Sequence, residues 1–262
     1  MHVGVDGGAS NTRVKRLDAD GRVRTAVLAG PSSLTLGVES AWQHIVEAVE
    51  AVGIIASGPA FASLALCSDG HATVLGAHGG RAGAAVSIGM GIVGSCVAAD
   101  GTARQVGGWG FPVRDEASGA WLGRLVLAEA LRIFDGYDLA ATPLHHAVIA
   151  AVGPSFDAVA AWTYQAPSTQ YATLAPLVID AANRGDPAGL RLVRLAAYEA
   201  EQLVNALDPR GELPLCLGGS LALPIYSHTA ERIVARVRPS QGDACDGALL
   251  LARGLAHSDL PT

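Results

Sequence analysis

Three glycine-containing turns in this sequence could bind phosphate, because each follows an apolar stretch and exposes backbone N–H groups. They are Gly7-Gly8, Gly89-Met90-Gly91 and Gly218-Gly219-Ser220. Glycine at such a turn lets phosphate oxygens approach the backbone amides. One turn of this kind is more often a hairpin than a nucleotide site. Several in chain order favour one nucleotide, with its phosphates at the first two turns and its ring or ribose at the third.

Two aspartates lie at positions where a carboxylate could take part in phosphoryl transfer. Asp6 ends the first strand-like segment, where it could orient a hydrated Mg²⁺ on the phosphates. Asp69 follows "FASLALC", which is predicted to be a buried strand, and it could accept the proton of an attacking hydroxyl. The alternative for Asp69 is an N-cap of the helix that contains "GHATVLGAH". The local sequence leaves both interpretations open.

The segment "GGWGFPVRDEASGAWLG", residues 107–123, combines bendable backbone with polar side chains. One interpretation is a loop with a helix cap, in which Asp115 or Ser118 caps the helix that begins near Trp121. The other is a ligand loop, in which glycine lets the backbone come close while Trp109 and the carboxylates hold a polar molecule.

The elements that would position these residues form two copies of one pattern. Residues 2–29 and 84–107 each read as strand, glycine turn, strand, Asp-Gly turn and strand. A helix follows each copy. The apolar face of the first helix is predicted to contain Trp42, Ile45, Val46 and Val49, and that of the second Trp121, Leu125, Leu127, Leu131 and Phe134. Two such copies predict two similar α/β lobes.

The rest of the sequence adds further helices and one strand. Helical spacing predicts an insert in the second copy, with helices over 142–152, 155–166, 169–183 and 186–207. A buried strand over 213–217 and a last helix over 242–257 follow.

Composition excludes some classes of partner. The net charge is −6 and the 18 basic residues are scattered, so neither a nucleic-acid partner nor a membrane partner is expected. The sequence opens on a strand-like segment with no secretory signal, which predicts a cytoplasmic location. Four cysteines lie far apart in apolar or small-residue runs, which predicts packing in a reduced core: Cys67, Cys96, Cys216 and Cys245.

The order of these motifs resembles the sugar kinases of the superfamily that contains actin, hexokinase and the heat-shock chaperone ATPases. Within it, the chain is most similar to the N-acetylglucosamine kinase and BadF/BadG/BcrA/BcrD ATPase group, above all to bacterial glucosamine kinases. The block "GGWGF" with "DE.SG.WLG" is the most specific motif. The segments that carry the resemblance are "VDGGASNTRV" (5–14), "AGPSSLTLGVE" (29–39), "SDGHATVLGAHGG" (68–80), "IGMGIVGS" (88–95), "VGGWGFPVRDEASGAWLG" (106–123), "LGGSLA" (217–222) and "DGALLLA" (246–252).

The resemblance implies an α/β architecture, a duplicated ribonuclease H-like fold of the actin-like ATPase type, with two lobes around a central cleft. The N-terminal lobe would be residues 1–79, and the C-terminal lobe residues 80–262 with a helical insert at about 140–208. The implied activity is transfer of phosphate from ATP, with Mg²⁺, to the 6-hydroxyl of glucosamine or N-acetylglucosamine. The oligomeric state stays open, a homodimer included.

The resemblance also assigns roles to residues. The sugar would be bound by Ser33, Asp69, Gly108, Trp109, Gly110 and Asp115, with Asp69 as the catalytic base. ATP would be bound by Gly7, Gly8, Ser10, Gly89, Met90, Gly91, Gly218, Gly219, Gly247 and Ala248, the last two beside the adenine. Asp6 would be the Mg²⁺ carboxylate.

Several positions differ from the pattern of this family. Met90 and Ile92 replace hydroxyl-bearing residues of the second phosphate turn, and Arg114 and Ala117 replace glycines of the sugar-binding segment. These differences keep a second function open, namely a catalytically weak or inactive family member that binds sugar or nucleotide as a sensor.

Two further departures bear on the class of enzyme. Between Val52 and Phe61 the chain is about thirty residues shorter than its relatives, the length of a strand-plus-helix unit. The first lobe is therefore expected to have a smaller sheet. A third candidate, an iron–sulfur ATPase that activates dehydratases, needs a cysteine pair, and the isolated Cys96 and Cys216 argue against it.

Overall fold

Two β-sheets, each built on an antiparallel meander, form the frame of the molecule. The computed structural model describes residues 1–7, 11–28, 30, 32, 37–54, 65–137 and 140–254. The first sheet has the order β1-β2-β3, and the second has the order β6-β5-β4-β7, with β7 parallel to β4. The predicted duplication of the meander is therefore confirmed. The strands are β1 (His2–Gly7), β2 (Thr12–Leu17), β3 (Val23–Leu28), β4 (Gly83–Ile88), β5 (Ile92–Val97), β6 (Ala103–Gly107) and β7 (Leu215–Gly218).

Helices cover both sheets and fill the long segment between β6 and β7. In the described residues they are α1 (Val38–Ala51), α2 (Asp69–His78), α3 (Gly119–Phe134), α4 (Pro143–Val152), α5 (Phe156–Thr163), α6 (Ser168–Ala172), α7 (Ala175–Asn183), α8 (Pro187–Leu207), α9 (Ala222–Tyr226), α10 (Glu231–Val234) and α11 (Ala244–Ala252). No one helix among them has the length and apolar composition needed to cross a membrane, although α4 and α5, bent by 75° to each other, reach that length together.

The alternation of side chains along the strands decides which helix covers which face. On β2, Val14 packs with α1, whereas the next residue, Lys15, bonds to α11 on the opposite face. On β5, Ser95 lies against α2, whereas Cys96 Sγ reaches Leu207 at the end of α8. The layers therefore run α1, first sheet, α11, α2, second sheet, α8.

The helices α2 and α11 pack across the predicted boundary between the lobes. The helix α2 lies before residue 80 in the chain, yet it packs on β4 and β5 of the second sheet. The helix α11 lies after residue 80, yet it packs on β1 and β2 of the first sheet. The predicted boundary at 79/80 therefore separates two segments of sequence, but each segment contributes one helix that packs on the sheet of the other. Lys15 Nζ fixes α11 on the first sheet through Asp243 Oδ1 at 2.9 Å and Asp246 Oδ2 at 2.7 Å.

Four sequence predictions about packing were wrong. Trp42 is exposed, because α1 turns Ala41, Ala48 and Val49 inward instead. Phe134, the last residue of α3, is exposed as well. Residues 65–68 form no strand, and Leu66 and Cys67 are exposed; residues 61–64 of the predicted strand lie outside the described part. The other cysteines are buried as predicted.

The helix predicted over 169–183 is two helices, α6 and α7. The new helix begins at Ala175, with Pro176 in its first turn. Proline has no N–H to donate, so it is tolerated in a first turn and disfavoured further inside a helix. The other predicted helices of the insert correspond to α4, α5 and α8.

Asp186 joins two helices of the insert. Its Oδ1 accepts hydrogen bonds from Ala188 N and Gly189 N at the start of α8, and its Oδ2 accepts one from Leu144 N of α4. Burial opposes ionisation, but the bonds from these backbone N–H groups outweigh it and lower the pKa of Asp186. The ionised carboxylate therefore stabilises the contact between α4 and α8.

Asp186→Asn is expected to lower the free energy of unfolding by about 1–2 kcal/mol at pH 7. The NH₂ group of the new side chain would face the N–H of Leu144, so two donors would meet and the hydrogen bond would be lost. A carboxylate whose pKa is lowered by folding stabilises the folded state at pH values above its unfolded pKa of about 3.9. This stabilisation is lost as the pH falls through the pKa of the folded state. Urea unfolding at pH 7 and pH 3 should give a difference that shrinks on acidification. The exposed Asp157→Asn is the control; an equal difference at both pH values contradicts the assignment.

Candidate active site

The first predicted phosphate turn begins where β1 ends. A Cβ added at Gly7 would lie 2.5 Å from Ser32 Oγ, so a larger residue would displace that serine. The Ser32 hydroxyl in turn accepts a hydrogen bond of 2.8 Å from Thr12 Oγ1. Three residues that the resemblance assigns to phosphate or sugar lie outside the described residues: Gly8, Ser10 and Ser33.

Asp6 is paired with Arg13, which lies directly opposite it in the register of β1 and β2. Arg13 Nε donates to Asp6 Oδ2 at 2.9 Å, and Arg13 Nη2 bonds to the same oxygen. Partial burial opposes the charge of Arg13, but the bond to Asp6 outweighs it and raises the pKa of the guanidinium. Asp6 is therefore a fixed carboxylate with one oxygen engaged by a cation.

Asp69 is the first residue of α2 and not its cap. Ser68 is the N-cap, and its side chain accepts from His71 N at 3.2 Å. The pKa of Asp69 is raised, first by the protein packed on one side of its carboxyl and second by the negative charge of Asp6, with Arg13 acting in the opposite direction, while the residue keeps an exposed surface. The structure thus brings the predicted Mg²⁺ carboxylate and the predicted base within electrostatic reach of each other.

The second phosphate turn (residues 89–91) and the third turn (residues 218–220) meet at the end of β4. Gly219 has φ +84°, and a Cβ there would lie 2.2 Å from Ile88 O. Ile88 O also accepts a hydrogen bond of 3.0 Å from Leu221 N. Met90, between the glycines of the second turn, is 49% exposed. The two turns predicted to hold one nucleotide therefore lie side by side.

The segment 107–118, termed here the sugar loop, follows β6 and leads into α3. It contains a cis peptide between Phe111 and Pro112, and positive φ angles at several residues. Ser118 ends the loop as the N-cap of α3, accepting from Trp121 N at 3.2 Å. Its non-glycine residues with positive φ are Asp115 at 78° and Ala117 at 76°.

Hydrogen bonds attach the sugar loop and α3 to the second phosphate turn. Gly119 N donates to Gly89 O at 2.8 Å, and Ala120 N donates to Met90 O at 3.1 Å. At the other end of the loop, Gly108 N donates to Ile92 O at 2.9 Å. The segment predicted to bind sugar and the turn predicted to bind phosphate are thus one connected unit.

The carboxylate of Asp115 is buried next to the second phosphate turn. The residue is 8% exposed, and a Cβ at Gly91 would lie 3.0 Å from Asp115 Oδ2. Its other oxygen, Oδ1, is buried without a hydrogen-bond partner in the described part of the chain. Trp109, in contrast, is 79% exposed, and a Cβ at Gly110 would meet nothing within 4 Å. The open side of the loop is therefore around Trp109 and Gly110.

Gly247 and Ala248, assigned by the resemblance to the adenine, lie in a packed helix contact. A Cβ at Gly247 would lie 1.9 Å from Ala72 O of α2. Ala248 Cβ lies 3.1 Å from the position that a Cβ of Gly4 would take. Gly247 is buried, so this geometry gives it a part in the helix crossing and no open surface beside a ring.

A small cavity of about 190 Å³ opens beside Asp69, at the edge of the second sheet. Its lining comes from the start of α2 and from β5 and β6, and includes Ser68, Ser95, Arg104 and Gln105.

The two cysteines relevant to the iron–sulfur alternative are held inside the second sheet. Cys96 Sγ contacts Leu207 O at 3.6 Å, and Cys216 Sγ contacts Arg238 O at 3.4 Å. Both are buried, and burial raises the pKa of both thiols. Neither is presented at a surface as a cluster ligand would have to be.

No family model matches the chain. The structure of a candidate N-acetylglucosamine kinase from Chromobacterium violaceum superimposes with a TM-score of 0.81 at 36% identity, covering 95% of this chain and 98% of that one. The chain belongs to the N-acetylglucosamine kinase family. The glucosamine kinase GspK of Vibrio cholerae is 28% identical over 287 residues, which is 98% of this chain and 97% of the relative.

A more distant neighbour bears on the fold alone. A ROK family glucokinase from Streptomyces griseus, solved with glucose and AMPPNP, superimposes with a TM-score of 0.50 at 16% identity, covering 97% of this chain and 99% of that one. The predicted family, the actin-like ATPase fold and the class of enzyme, a kinase, are confirmed. The lobe boundaries, the oligomeric state and the cellular location stay predictions.

Some residues of the site were not found from the sequence. Arg13 was missed, although pairing the first two strands across a glycine turn would have placed it opposite Asp6. Two contacts beside the predicted site were missed as well, that of Ser168 with Met90 and that of Tyr171 with Phe111 of the sugar loop, because both residues belong to α6, whose position depends on the packing of the insert.

Proposed function

We propose that this chain transfers the γ-phosphoryl group of ATP to the 6-hydroxyl of an amino sugar, glucosamine or N-acetylglucosamine. The observation that carries the proposal is the attachment of the sugar loop to the second phosphate turn, with Asp115 beside Gly91. A sugar at the loop and a triphosphate at the turn would meet there, as in-line transfer requires. The class of substrate comes from the names of the relatives, a glucosamine kinase and a candidate N-acetylglucosamine kinase.

In this proposal the acceptor hydroxyl is activated by Asp69. A general base is most effective when its pKa lies nearer the working pH, and the pKa of Asp69 is raised by partial burial and by Asp6. Arg13 holds Asp6 in place and supplies positive charge near the phosphates. The backbone amides at Gly7, Gly89, Gly91, Gly218 and Gly219 are the proposed contacts of the nucleotide.

A magnesium ion fits the residues at the end of β1. Asp6 and Asp69 place two negative charges close together, a repulsion that a divalent cation would relieve. In the described part of the chain, the hydrogen bonds to Asp6 from Arg13 both end on Oδ2, which leaves Oδ1 to face a hydrated ion. Mg²⁺ usually keeps several waters and one or two carboxylates. Bound with ATP, it would neutralise charge on the β- and γ-phosphates.

One observation favours a second candidate function, a sensor that binds sugar or nucleotide. The second phosphate turn presents the apolar, half-exposed side chain of Met90, which has no donor for a phosphate. ADP release measured with a panel of amino sugars and hexoses separates the two functions. We expect release with an amino sugar; sugar binding without ADP release from any amino sugar would establish the sensor instead.

Asp115→Asn is expected to weaken sugar affinity by about 1.5–3 kcal/mol, or roughly 10- to 150-fold. The carboxylate is buried, and its Oδ1 is proposed to accept from a sugar hydroxyl that would lose a charged partner. Asparagine is the informative replacement, because it tolerates the φ of 78° at this position, whereas alanine would add backbone strain. Calorimetric titration with sugar and, separately, with ATP measures the effect.

The control for Asp115 is its neighbour Glu116. The Glu116 carboxylate is already bound by Arg114 Nε at 3.1 Å on the exposed side of the loop, so Glu116→Gln should leave sugar affinity nearly unchanged. ATP affinity should barely change in either variant. Equal weakening of sugar and ATP in Asp115→Asn would show that Asp115 is a structural residue.

A further inference from the structure

The short helix α6 of the insert lies against the second phosphate turn. Ser168 Oγ donates a hydrogen bond to Met90 Sδ at 3.7 Å. The same helix comes close to the start of α3, where a Cβ at Gly119 would lie 3.5 Å from Ala172 Cβ and 3.2 Å from Leu221 Cδ1. Three segments therefore meet beside Gly119: the second phosphate turn, Leu221 after the third turn, and α6.

The position of α6 is fixed by close packing. A Cβ at Gly123 of α3 would lie 1.8 Å from Tyr171 O, so the two backbones are in direct contact. The ring of Tyr171 lies 5.1 Å from that of Phe111 in the sugar loop and 5.4 Å from that of Trp162 in α5, between ring centroids. Ser168 is thus carried by an element anchored both to α3 and to the sugar loop.

The partner of the Ser168 hydroxyl is a weak one. A thioether sulfur is a poor acceptor, whereas a phosphate oxygen forms a short, charge-assisted hydrogen bond. Met90 itself has no O–H or N–H in its side chain, so the residue between the two glycines offers the phosphates no side-chain donor. A hydroxyl in contact with that side chain could take this part with a change of one rotamer.

We propose that Ser168 is a phosphate-binding residue: its hydroxyl leaves Met90 Sδ and donates to a phosphate oxygen of the nucleoside triphosphate at the second turn. The proposal rests on the proposed kinase function, since it assumes that a triphosphate occupies that turn. It assigns to the helical insert a direct part in the reaction. It also explains how a turn with methionine in its centre can serve phosphoryl transfer.

The experiment compares the wild type with Ser168→Ala, Ser168→Thr, Met90→Thr and the double variant Ser168→Ala/Met90→Thr. Loss of a preorganised donor at developing charge costs on the order of 10²-fold in rate, so Ser168→Ala should lower kcat by about that factor. Ser168→Thr keeps the hydroxyl and should retain activity. Met90→Thr should rescue Ser168→Ala, because it places a hydroxyl on the turn itself, and it should help the wild type less.

Binding of AMPPNP and of AMP gives a readout that does not need turnover. Ser168→Ala should weaken AMPPNP by about tenfold and leave AMP unchanged, because only AMPPNP has β- and γ-phosphates. Unchanged AMPPNP affinity, or a fall in kcat that Met90→Thr does not rescue, overturns the role of Ser168. Absence of ADP release by the wild type overturns the kinase function instead, and the AMPPNP measurement then still decides whether Ser168 contacts phosphate.

Discussion

Asp69→Asn is expected to slow ADP release by about 10²–10⁴-fold, the usual contribution of a general base, while the sugar still binds. Asparagine has nearly the same shape and fits the first turn of α2, where Ser68 and not Asp69 caps the helix. The variant therefore removes the proton acceptor and little else. Steady-state ADP release with the preferred amino sugar measures the rate, and calorimetric titration measures the affinity for that sugar.

Two further measurements separate a chemical role of Asp69 from a structural one. A raised folded-state pKa means that the ionised form destabilises the fold above that pKa, so Asp69→Asn should be at least as stable as the wild type at neutral pH. In the wild type, kcat/KM should fall on acidification at a pH above the ordinary aspartate pKa of about 3.9, because the base must be ionised. Transfer at nearly the wild-type rate in Asp69→Asn would rule this residue out as the base.

The strands were predictable because their signals are local. Each meander alternates apolar residues with glycine or Asp-Gly turns, and short-range pairing across such turns needs no information from the rest of the chain. The break between α6 and α7 was harder to predict from the sequence. The apolar period continues through Thr173 and Leu174, and only Pro176 indicates that a new helix begins there.

The inward face of a helix depends on its partner as well as on its own period. In α1 the wide apolar face includes Trp42, but the residues that are buried are Ala41, Ala48 and Val49, of which Ala48 and Val49 pack with Val14 of the first sheet. The large indole is left outside, 62% exposed. Sequence periodicity could not distinguish these neighbours, which lie only about 100° apart around the helix.

In the candidate site, too, local sequence signals were predictable and contacts between distant segments were not. The phosphate turns follow strand ends, where glycine is a local signal. Asp69 was proposed from a strand that residues 65–68 do not form, and it lies instead in the first turn of α2. Contacts between distant segments could not be found in that way: Ser168 meets Met90 across 78 residues of sequence. The contact of Gly247 with the backbone of α2 could not be found in that way either, and its place beside the adenine stays a prediction.

The crossing of α2 and α11 is expected to be highly sensitive to added side-chain atoms. Gly76→Ala places a Cβ 1.8 Å from Asp243 O, and Gly247→Ala places one 1.9 Å from Ala72 O. Asp243 O cannot move away easily, because it accepts the hydrogen bond of Gly247 N at 3.1 Å in the first turn of α11. Since both obstacles are backbone atoms, the helices would have to separate.

We expect each of these alanine variants to lower the free energy of unfolding by about 3 kcal/mol, the upper part of the range for overpacking. Helix propensity works in the other direction, because alanine is favoured over glycine by about 1 kcal/mol inside a helix. The reverse change at the exposed Ala128 of α3, Ala128→Gly, calibrates that contribution. Urea unfolding of the three variants beside the wild type measures the difference.

The same variants decide between the two roles of Gly247. If it lies beside the adenine and the helices leave room, Gly247→Ala should weaken ATP binding, Gly76→Ala should not, and neither variant should lose stability. If the crossing is what requires glycine, both variants lose stability, and their effects are non-additive in the double variant Gly76→Ala/Gly247→Ala because both substitutions disrupt one shared contact. A stability gain of about 1 kcal/mol in both variants, the value for helix propensity alone, would show that the helices do not touch at these residues.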